Sequence, residues 1–529
     1  MKRWLALLGV ALLLGVGAGL GLWYQQRAAD RAATVAGFER LRADAETALG
    51  APAADSTYAY IVGPRGAAWV ELLCTAGVPV PRPVATAAEV PEDARLVVLT
   101  AGASAIDGSA LAAPGRVVLV APATDAPDPD AFVPDPQHPG RVVTLGSDWA
   151  ARAVRLRQGD PSLADRDTDG NGDIQPADLL GPESRRTNSA EADLRLQRAL
   201  DTLGAEAGCP LPRTRGLPAG VEALVVLTAD QDYNPDALVE PLATQLGDLG
   251  ATATHLLTNP ALGRPADLHV ASAAERRNAP TLSAGLRDTL LADGSGLGIH
   301  PFTADPAEIT AVAEAFAADN GFRPLTARNH HVLWSGYVQV PRAEAAAGVR
   351  LNLDALPICR GEAPCAGFLA GYGQPMRFID ETGAALPIWQ QPTTVDDYSL
   401  RVSDEAARAA AGAALTQRAL ALLAEAARAE APLVVNAHPN LVVLGHGWLT
   451  PVLVSPPPRP APQGLPPQGG FAPPSALLMA PGVRVVSAET WLDFVVRRRL
   501  ARITLADCGA PRVSLPPGVA LRGLPAGAR

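Results

Sequence analysis

The sequence of 529 residues is short of several residue types, and each shortage excludes a class of protein. Lysine is scarce beside arginine, the formal net charge is −10, and no basic stripe with interleaved aromatic residues is present, so nucleic acid is not an expected partner. No Gly-x-Gly-x-x-Gly or Walker loop follows an expected strand, so no nucleotide site is indicated. Hydrophobic residues make up 48% of the chain, which excludes a disordered protein, and the length predicts two or three domains.

The N-terminus lacks a small-x-small cleavage site but contains a long apolar run. Two basic residues, Lys2 and Arg3, come before an apolar stretch from Trp4 to Tyr24, and about 20 such residues are enough to span a bilayer. Basic residues before the run keep the N-terminus in the cytoplasm. We therefore expect an uncleaved, single-pass signal anchor in the cell membrane, with a cleaved signal peptide as the alternative. In either case the bulk of the chain is extracytoplasmic.

Cysteines are few, but an exported chain allows them to form disulfides. The sequence contains 5 cysteines, of which Cys359 and Cys365 enclose a short loop and are the best candidates for a pair. The sequence does not assign Cys74, Cys209 or Cys508.

Changes in composition and in hydrophobic pattern divide the chain into six segments. The pattern of strands and helices predicts the α/β fold class. They are a signal anchor (1–27), a stalk helix (28–57), a small parallel α/β domain (58–146), a helical segment with an acidic loop (147–215), an irregular (β/α) barrel (216–506) and an irregular tail (507–529). In the barrel, strands are expected at 223–229, 252–257, 296–301, 325–330, 349–354, 432–438 and 484–487, and helices at 235–249, 306–319, 403–429 and 488–499. A Pro/Gly-rich insertion is expected on the surface at 455–476.

The acidic loop of the helical segment has the spacing of a calcium loop. Side-chain oxygens fall at its first, third and fifth positions, a glycine at the sixth, a backbone carbonyl at the seventh and a carboxylate at the twelfth. The expected ligands are Asp167, Asp169, Asn171, Asp173 through its carbonyl, and Asp178. The loop resembles an EF-hand and, more closely, the repeat of type I dockerins, but it occurs once rather than twice, so a cohesin partner is not expected. An acidic surface turn is the alternative to calcium binding.

Polar residues follow several of the expected barrel strands, where catalytic groups of α/β folds collect. The first such strand ends at Asp230 and Asp232, the second at His300, the third at Arg328-Asn329-His330-His331, and a late strand at His438. Two carboxylates, several imidazoles and an arginine at one sheet edge are suited to a divalent metal beside a general base.

On these motifs the 216–506 segment resembles the polysaccharide deacetylase family (carbohydrate esterase family 4). Thr228-Ala-Asp230-Gln-Asp232 is similar to the family's opening Thr-Phe-Asp-Asp-Gly, and Gly298-Ile-His300 is similar to its Gly-x-His. The family's second histidine, four residues later, is Ala304 here, so His330 or His331 is the expected replacement. Gly321-Phe-Arg-Pro324-Leu-Thr-Ala-Arg328 resembles the third motif, and Asn436-Ala-His438 the late Leu-x-His.

The resemblance implies a metal-dependent amide hydrolase. Asp230 would be the general base, His438 the general acid and Arg328 the residue that holds Asp230 ionised. Asp232, His300 and His330 would bind the metal, for which zinc is the default. Four aromatic residues are candidates for sugar stacking or, equally, for core packing: Trp334, Tyr337, Tyr372 and Trp389.

Two functions remain open at this point. The first is a membrane-anchored deacetylase that removes N- or O-acetyl groups from a cell-envelope or extracellular polysaccharide. The second is a catalytically degenerate barrel that binds a glycan or a protein partner at the envelope. The retained acids and histidines favour the first function, and Ala304 favours the second.

Overall fold

The computed structural model describes residues 2–50, 57–103, 106–232, 234–258, 282–356, 366–402, 404–444, 448–454, 482–505, 508 and 511–522. For residues 2–18, 20, 443, 444, 450 and 454, which lie in helices, the structure describes the backbone but not the side chains. The expected Cys359–Cys365 pair and the 455–476 insertion also lie outside it.

Helix α1 (Lys2–Gly50) is continuous from the predicted signal anchor into the predicted stalk. Among the described residues, no helix has both the length and the apolar character needed to cross a membrane. The structure does not describe most side chains of the predicted anchor, so the anchor stays a prediction. The stalk does not stand free: Phe38, Leu41 and Ala45 are buried in the core of the barrel, where the Phe38 ring packs 5.3 Å from that of Phe322.

The first sheet is built from short, buried apolar strands. Its strands are β1 (Ala59–Val62), β2 (Arg82–Val84), β3 (Leu96–Leu99), β4 (Val117–Val120), β5 (Phe132–Pro134) and β6 (Val142–Leu145). They lie in the order β2-β1-β3-β4-β6-β5, with every pair parallel except β5 and β6. Helices α2 (Gly66–Thr75) and α3 (Trp149–Gln158) share a core with this sheet, and the Asp148 carboxylate caps α3. Such apolar strands need cover on their faces.

A mainly helical segment connects the two sheets. It contains α4 (Pro176–Leu179), β7 (Arg186–Thr187), α5 (Glu191–Glu206) and β8 (Arg213–Thr214). A disulfide joins Cys209, just after α5, to Cys508 in the C-terminal tail, 299 residues away. Cys74 is a free cysteine.

The second sheet contains every barrel strand that the sequence predicts. Its strands are β9 (Ala223–Asp230), β10 (Thr254–Leu257), β11 (Gly296–Ile299), β12 (Thr326–Ala327), β13 (Leu351–Asn352), β15 (Met376–Ile379), β16 (Ala385–Gln390), β17 (Val395–Asp396), β18 (Leu433–Ala437) and β19 (Val483–Val486). Strand β14 (Phe368–Leu369) is not part of this sheet and pairs with β7. The strands lie in the order β15-β16-β13-β12-β11-β10-β9-β18-β17, and β19 also pairs with β9. Every pair is parallel except β15 and β16, which are antiparallel.

This sheet is a curled half-barrel rather than a closed barrel. Within the described residues, the path of paired strands does not return from β17 to β15. β12 and β18 are four strand spacings apart, about 19 Å in a flat sheet. Nevertheless, the guanidinium of Arg328, just after β12, donates a hydrogen bond to Asn436 in β18. The sheet therefore curls enough to bring distant strand ends together.

Helices cover the outside of the half-barrel. They are α6 (Asp236–Asp248), α7 (Ala284–Ala292), α8 (Pro306–Asn320), α9 (Gln339–Ala347), α10 (Glu405–Arg428), α11 (Pro439–Leu444), α12 (Leu449–Val454) and α13 (Ala488–Leu500). The helices predicted at 235–249, 306–319, 403–429 and 488–499 are all present. The tail, predicted to be irregular, contains β21 (Arg512–Ser514), which pairs with β20 (Arg502–Thr504), and β22 (Leu521–Arg522), which pairs with β8.

Candidate metal and hydrolytic site

The site begins where β9 ends. All eight residues of β9 are buried, which fixes the strand in the centre of the sheet and places Asp230 at its last position. Asp232 follows two residues later in a left-handed backbone conformation, with φ at 48°. A non-glycine residue with positive φ is unusual and collects at functional sites. The turn directs both carboxylates into the curled end of the sheet.

Three side chains from three strand ends meet beside this turn. The Asp232 Oδ1 atom lies 3.1 Å from His300 Nε2 and 3.1 Å from His330 Nδ1, and the two imidazole nitrogens lie 3.2 Å apart. All three residues are buried. We call Asp232, His300 and His330 the candidate metal triad.

The spacing of the triad fits a zinc-sized ion. Ligand atoms around a tetrahedral zinc with bonds of about 2.1 Å lie about 3.4 Å from one another. The three separations are close to this value, and two imidazoles with one carboxylate form a ligand set found in catalytic zinc sites.

Hydrogen bonding and burial set the protonation of the two histidines. His300 Nδ1 lies 2.7 Å from the carbonyl oxygen of Arg328, and because a carbonyl only accepts, Nδ1 carries a proton. Burial opposes a charged ring, but Asp230 and Asp232 raise the pKa of His300, so a metal would have to displace a proton from Nε2. Burial lowers the pKa of His330 to about 4, so its imidazole is neutral at physiological pH. A neutral imidazole is the form that binds a metal.

His330, and not His331, lies beside Asp232 and His300. His331 Nδ1 instead lies 3.3 Å from Asp173 Oδ2, on the acidic loop. Sequence reasoning left these two histidines as alternatives, and the geometry selects His330.

Asp230 is held by an arginine and an amide. Arg328 Nη1 donates to Asp230 Oδ1 over 2.9 Å, and Asn436 Nδ2 donates to Asp230 Oδ2 over 2.9 Å. Burial would raise the pKa of Asp230, but the positive charges of Arg328, His300 and His438 outweigh burial and lower it below its ordinary value. Asp230 is therefore ionised, as a proton acceptor must be.

His438 faces both carboxylates from the other side. Its Nε2 atom lies 3.9 Å from Asp230 Oδ2 and 3.6 Å from Asp232 Oδ2. Its Nδ1 atom donates over 2.6 Å to Asp397, which also accepts from the backbone N–H of His438. Burial opposes a charged ring, but Asp397 and then Asp232 raise the pKa of His438 to about 10. The imidazole is therefore protonated and able to give a proton away.

Arg401 and Tyr398 form the exposed rim of the site. Arg401 Nη2 lies 3.3 Å from Asp232 Oδ2, and its guanidinium stacks 4.9 Å from the ring of Tyr398, which is 54% exposed.

The four aromatic residues that were candidates for sugar stacking do not lie at this rim. Trp334, Tyr337, Tyr372 and Trp389 are all buried in hydrophobic cores. Of the two alternatives for these four residues, core packing is therefore the one that the structure supports.

The acidic loop brings several carboxylates together. Oxygen atoms of Asp167, Asp169 and Asp178 lie within 4.8 Å of one another. Asp167 accepts backbone N–H groups of Gly170, Asn171 and Gly172, and these bonds, led by that from Gly172, lower its pKa. Two of the predicted ligands make other contacts through their side chains. Asn171 Oδ1 accepts from the Asp173 N–H, and the Asp173 carboxylate faces His331.

Sequence reasoning missed three residues of the site. Asp397 and Arg401 lie just after β17, and Asn436 was noted only as part of a motif. A signal for Asp397 existed, because Val395-Asp396-Asp397 is a short strand that ends in two acids, like the end of β9. Nothing in the sequence pairs Asp397 with His438.

Comparisons with known proteins find similarity among solved structures only. No family model matches the chain, and no curated protein matches it. One similar structure is that of a protein assigned as a polysaccharide deacetylase involved in O-antigen biosynthesis, from Bordetella bronchiseptica, with 14% identity and a TM-score of 0.24 over 41% of this chain and 72% of that one. Another is a mutant of a CE4-family pseudoenzyme with restored enzymatic activity, with 12% identity and a TM-score of 0.26 over 53% of this chain and 70% of that one. These similarities are low, so the proposals below rest on the geometry of the site.

Proposed function

We propose that the chain is a metal-dependent hydrolase that removes N- or O-acetyl groups from a cell-envelope or extracellular polysaccharide. The observation that carries the proposal is the candidate metal triad, with an ionised Asp230 and a protonated His438 at its border. An acid and a base on either side of one metal position is the arrangement that amide and ester hydrolysis requires.

Each residue has a role in this proposal. Asp232, His300 and His330 would hold a divalent metal, with zinc as the first choice, which when bound lowers the pKa of water and polarises a carbonyl. Asp230 accepts the proton of the attacking water, and Arg328 and Asn436 keep its carboxylate ionised and oriented. His438 donates the proton from Nε2 to the leaving amine or alcohol, with Asp397 fixing its ring.

Two further elements belong to the proposal. The Asp167–Asp178 loop is proposed to bind calcium, supported by its spacing and by the grouping of three of its carboxylates. The N-terminal segment is proposed as a single-pass anchor in the cell membrane, with the bulk of the chain outside the cytoplasm, supported by the apolar run alone.

The first test is the metal content of the full chain, measured by mass spectrometry for wild type and Asp232→Ala/His300→Ala. We expect about one transition metal per chain, lost in the double variant. Wild type should then release acetate from N-acetylated or O-acetylated glycans, and Asp230→Asn should not. Calcium alone, unchanged in the double variant, would refute the hydrolase and leave the half-barrel as a binding scaffold, the function that Ala304 favours.

A further inference from the structure

His330, the third residue of the candidate metal triad, lies in a strained turn. It begins a short turn, His330–Val332, in which His331 and Val332 have φ values of 53° and 48°. Positive φ is strained for a β-branched residue such as valine, and such a turn persists only where its surroundings hold it. The source of that restraint therefore decides where the His330 imidazole lies.

Part of the restraint comes from one loop, residues 165–175, which we call the strap loop. Two of its contacts reach the turn: Gln175 Nε2 donates to the His331 carbonyl (2.9 Å), and His331 Nδ1 lies 3.3 Å from Asp173 Oδ2. Two more reach the residues that follow: the Trp334 N–H donates to the Ile174 carbonyl (2.8 Å) and the Gly336 N–H to Asp165 Oδ1 (2.6 Å). The barrel holds the same stretch through the His330 N–H to the Pro301 carbonyl (2.8 Å), Ser335 Oγ to the Ala304 carbonyl (2.7 Å) and Asn329 Nδ2 to the Leu333 carbonyl (2.9 Å).

The orientation of the His330 ring also depends on the strap loop. The ring of Phe302 lies 4.1 Å from it at an interplanar angle of 30°, and the ring of His331 lies 4.3 Å from it at 20°. Two rings that are each nearly parallel to His330 at this distance cannot share one of its faces, so the imidazole is held between them. Phe302 belongs to the barrel, whereas His331 is fixed by Asp173 and Gln175 of the strap loop.

We propose that the strap loop positions the third metal ligand of the half-barrel, with Gln175, Asp165 and His331 as positioning residues that fix His330 toward Asp232 and His300. The loop thereby compensates for Ala304, which offers no ligand. This inference deepens the proposed function and rests on it.

The test measures binding of cobalt(II) to the full chain by titration and by its visible absorption spectrum, whose intensity reports the coordination geometry. We expect Gln175→Met, which keeps the length of the side chain but removes its amide, to weaken cobalt binding about 10- to 100-fold and to change the spectrum. Gln137→Ala, at an exposed glutamine of the first sheet's domain, is the control and should match wild type.

A second pair of variants separates positioning from folding. Asp165→Ala removes the acceptor for the Gly336 N–H, while Asp165→Asn retains an Oδ1 acceptor and tolerates the positive φ of this position. We expect Asp165→Ala to lose cobalt affinity and Asp165→Asn to regain it, with circular dichroism unchanged in both. If Gln175→Met fails to fold, this pair carries the test.

The failures of the two proposals are distinguishable. If wild type binds cobalt, and the folded strap-loop variants bind it with the same affinity and spectrum, the strap loop has no positioning role and the hydrolase proposal stands. If wild type does not bind cobalt, or binds it equally after Asp232→Ala/His300→Ala, the metal site itself is refuted and the positioning proposal with it.

Discussion

Asp397 and His438 lie on neighbouring strand ends, with Asp397 Oδ1 2.6 Å from His438 Nδ1, and the contact is buried on both sides. This carboxylate is the main reason that the pKa of His438 is raised to about 10 despite burial. The folded-state pKa of His438 lies above the ordinary value for histidine, so the charged His438 ring contributes stability that is fully present below about pH 6.5 and is lost as pH rises through about 10.

Asp397→Asn should therefore lower the pKa of His438 and move the alkaline limb of the pH–rate profile to lower pH. The limb falls where the general acid loses its proton, so wild type should remain active to higher pH than the variant. Measurement of acetate release from pH 6 to pH 10 checks this expectation. An alkaline limb at the same pH in both proteins would show that His438 is not the acid.

Arg328 contacts several polar groups of the site. It donates to Thr228, Asp230 and Asn436 through Nη1, and to Thr393 through Nη2. Replacing it by glutamine leaves the buried Asp230 without its cation, so we expect Arg328→Gln to reduce the free energy of unfolding by roughly 3–5 kcal/mol. Denaturant unfolding measures the change.

The matched control for Arg328 is Arg342, whose side chain is 48% exposed and pairs with Glu381 at the surface. Arg342→Gln should change the free energy of unfolding by less than about 1 kcal/mol, because exposed ion pairs contribute little. Equal effects of the two substitutions would contradict the role of Arg328 as the buried partner of Asp230.

A pair of buried carboxyl groups lies behind the site. Asn352 Nδ2 donates to both Glu344 Oε2 and Asp354 Oδ2, over 2.8 and 2.6 Å, and Asp354 Oδ1 accepts the Asn329 N–H. Burial raises the pKa of both groups, and the neighbouring Asp354 charge raises that of Glu344 further. Both acids therefore favour the protonated form in the folded state.

Acids with raised pKa values stabilise the fold below the ordinary carboxyl pKa of about 4, and the stabilisation is lost as pH rises through the raised values. Glu344→Gln should therefore be more stable than wild type at pH 8 and nearly equal to it at pH 4. Thermal or denaturant unfolding at the two pH values is the measurement. Glu314→Gln, at an exposed position of α8, should show no such difference.

Calcium should stabilise the chain through the acidic loop. At a calcium concentration 100 times the dissociation constant, binding to the folded state alone adds about 2.7 kcal/mol of stability. We expect EGTA to lower the melting temperature, and Asp167→Ala/Asp169→Ala to abolish that response. A response that is equal in wild type and in the double variant would place calcium elsewhere or nowhere in the chain.

The strands and their polar ends were predictable because the signal is local. A run such as Ala223–Asp230 is apolar along its whole length, as a central parallel strand must be, and the acids follow where the strand stops. The same reasoning placed His300, Arg328 and His438 at strand ends, and the structure brings all of them to one edge. Their chemical roles remain predictions.

The sequence could not decide between His330 and His331, because the two are adjacent and chemically identical. The choice depends on the turn at His331 and on Asp173, a residue 158 positions away that holds His331 from the acidic loop. Likewise, the Cys209–Cys508 disulfide spans 299 residues, and no local pattern encodes such a pairing.

The sequence by itself predicted seven strands and four helices of the half-barrel, several residues at the strand ends and the spacing of the acidic loop, because each depends on neighbours within a few residues. It missed β15, β16 and β17 and the helices α7, α9, α11 and α12. Only the tertiary structure decided that the sheet remains an open half-barrel, that Asp397 partners His438, and that the acidic loop packs against the turn of His330 and His331. These features depend on the curl of the sheet, which brings Arg328 to Asn436 across four strand spacings, and on contacts between segments far apart in the chain.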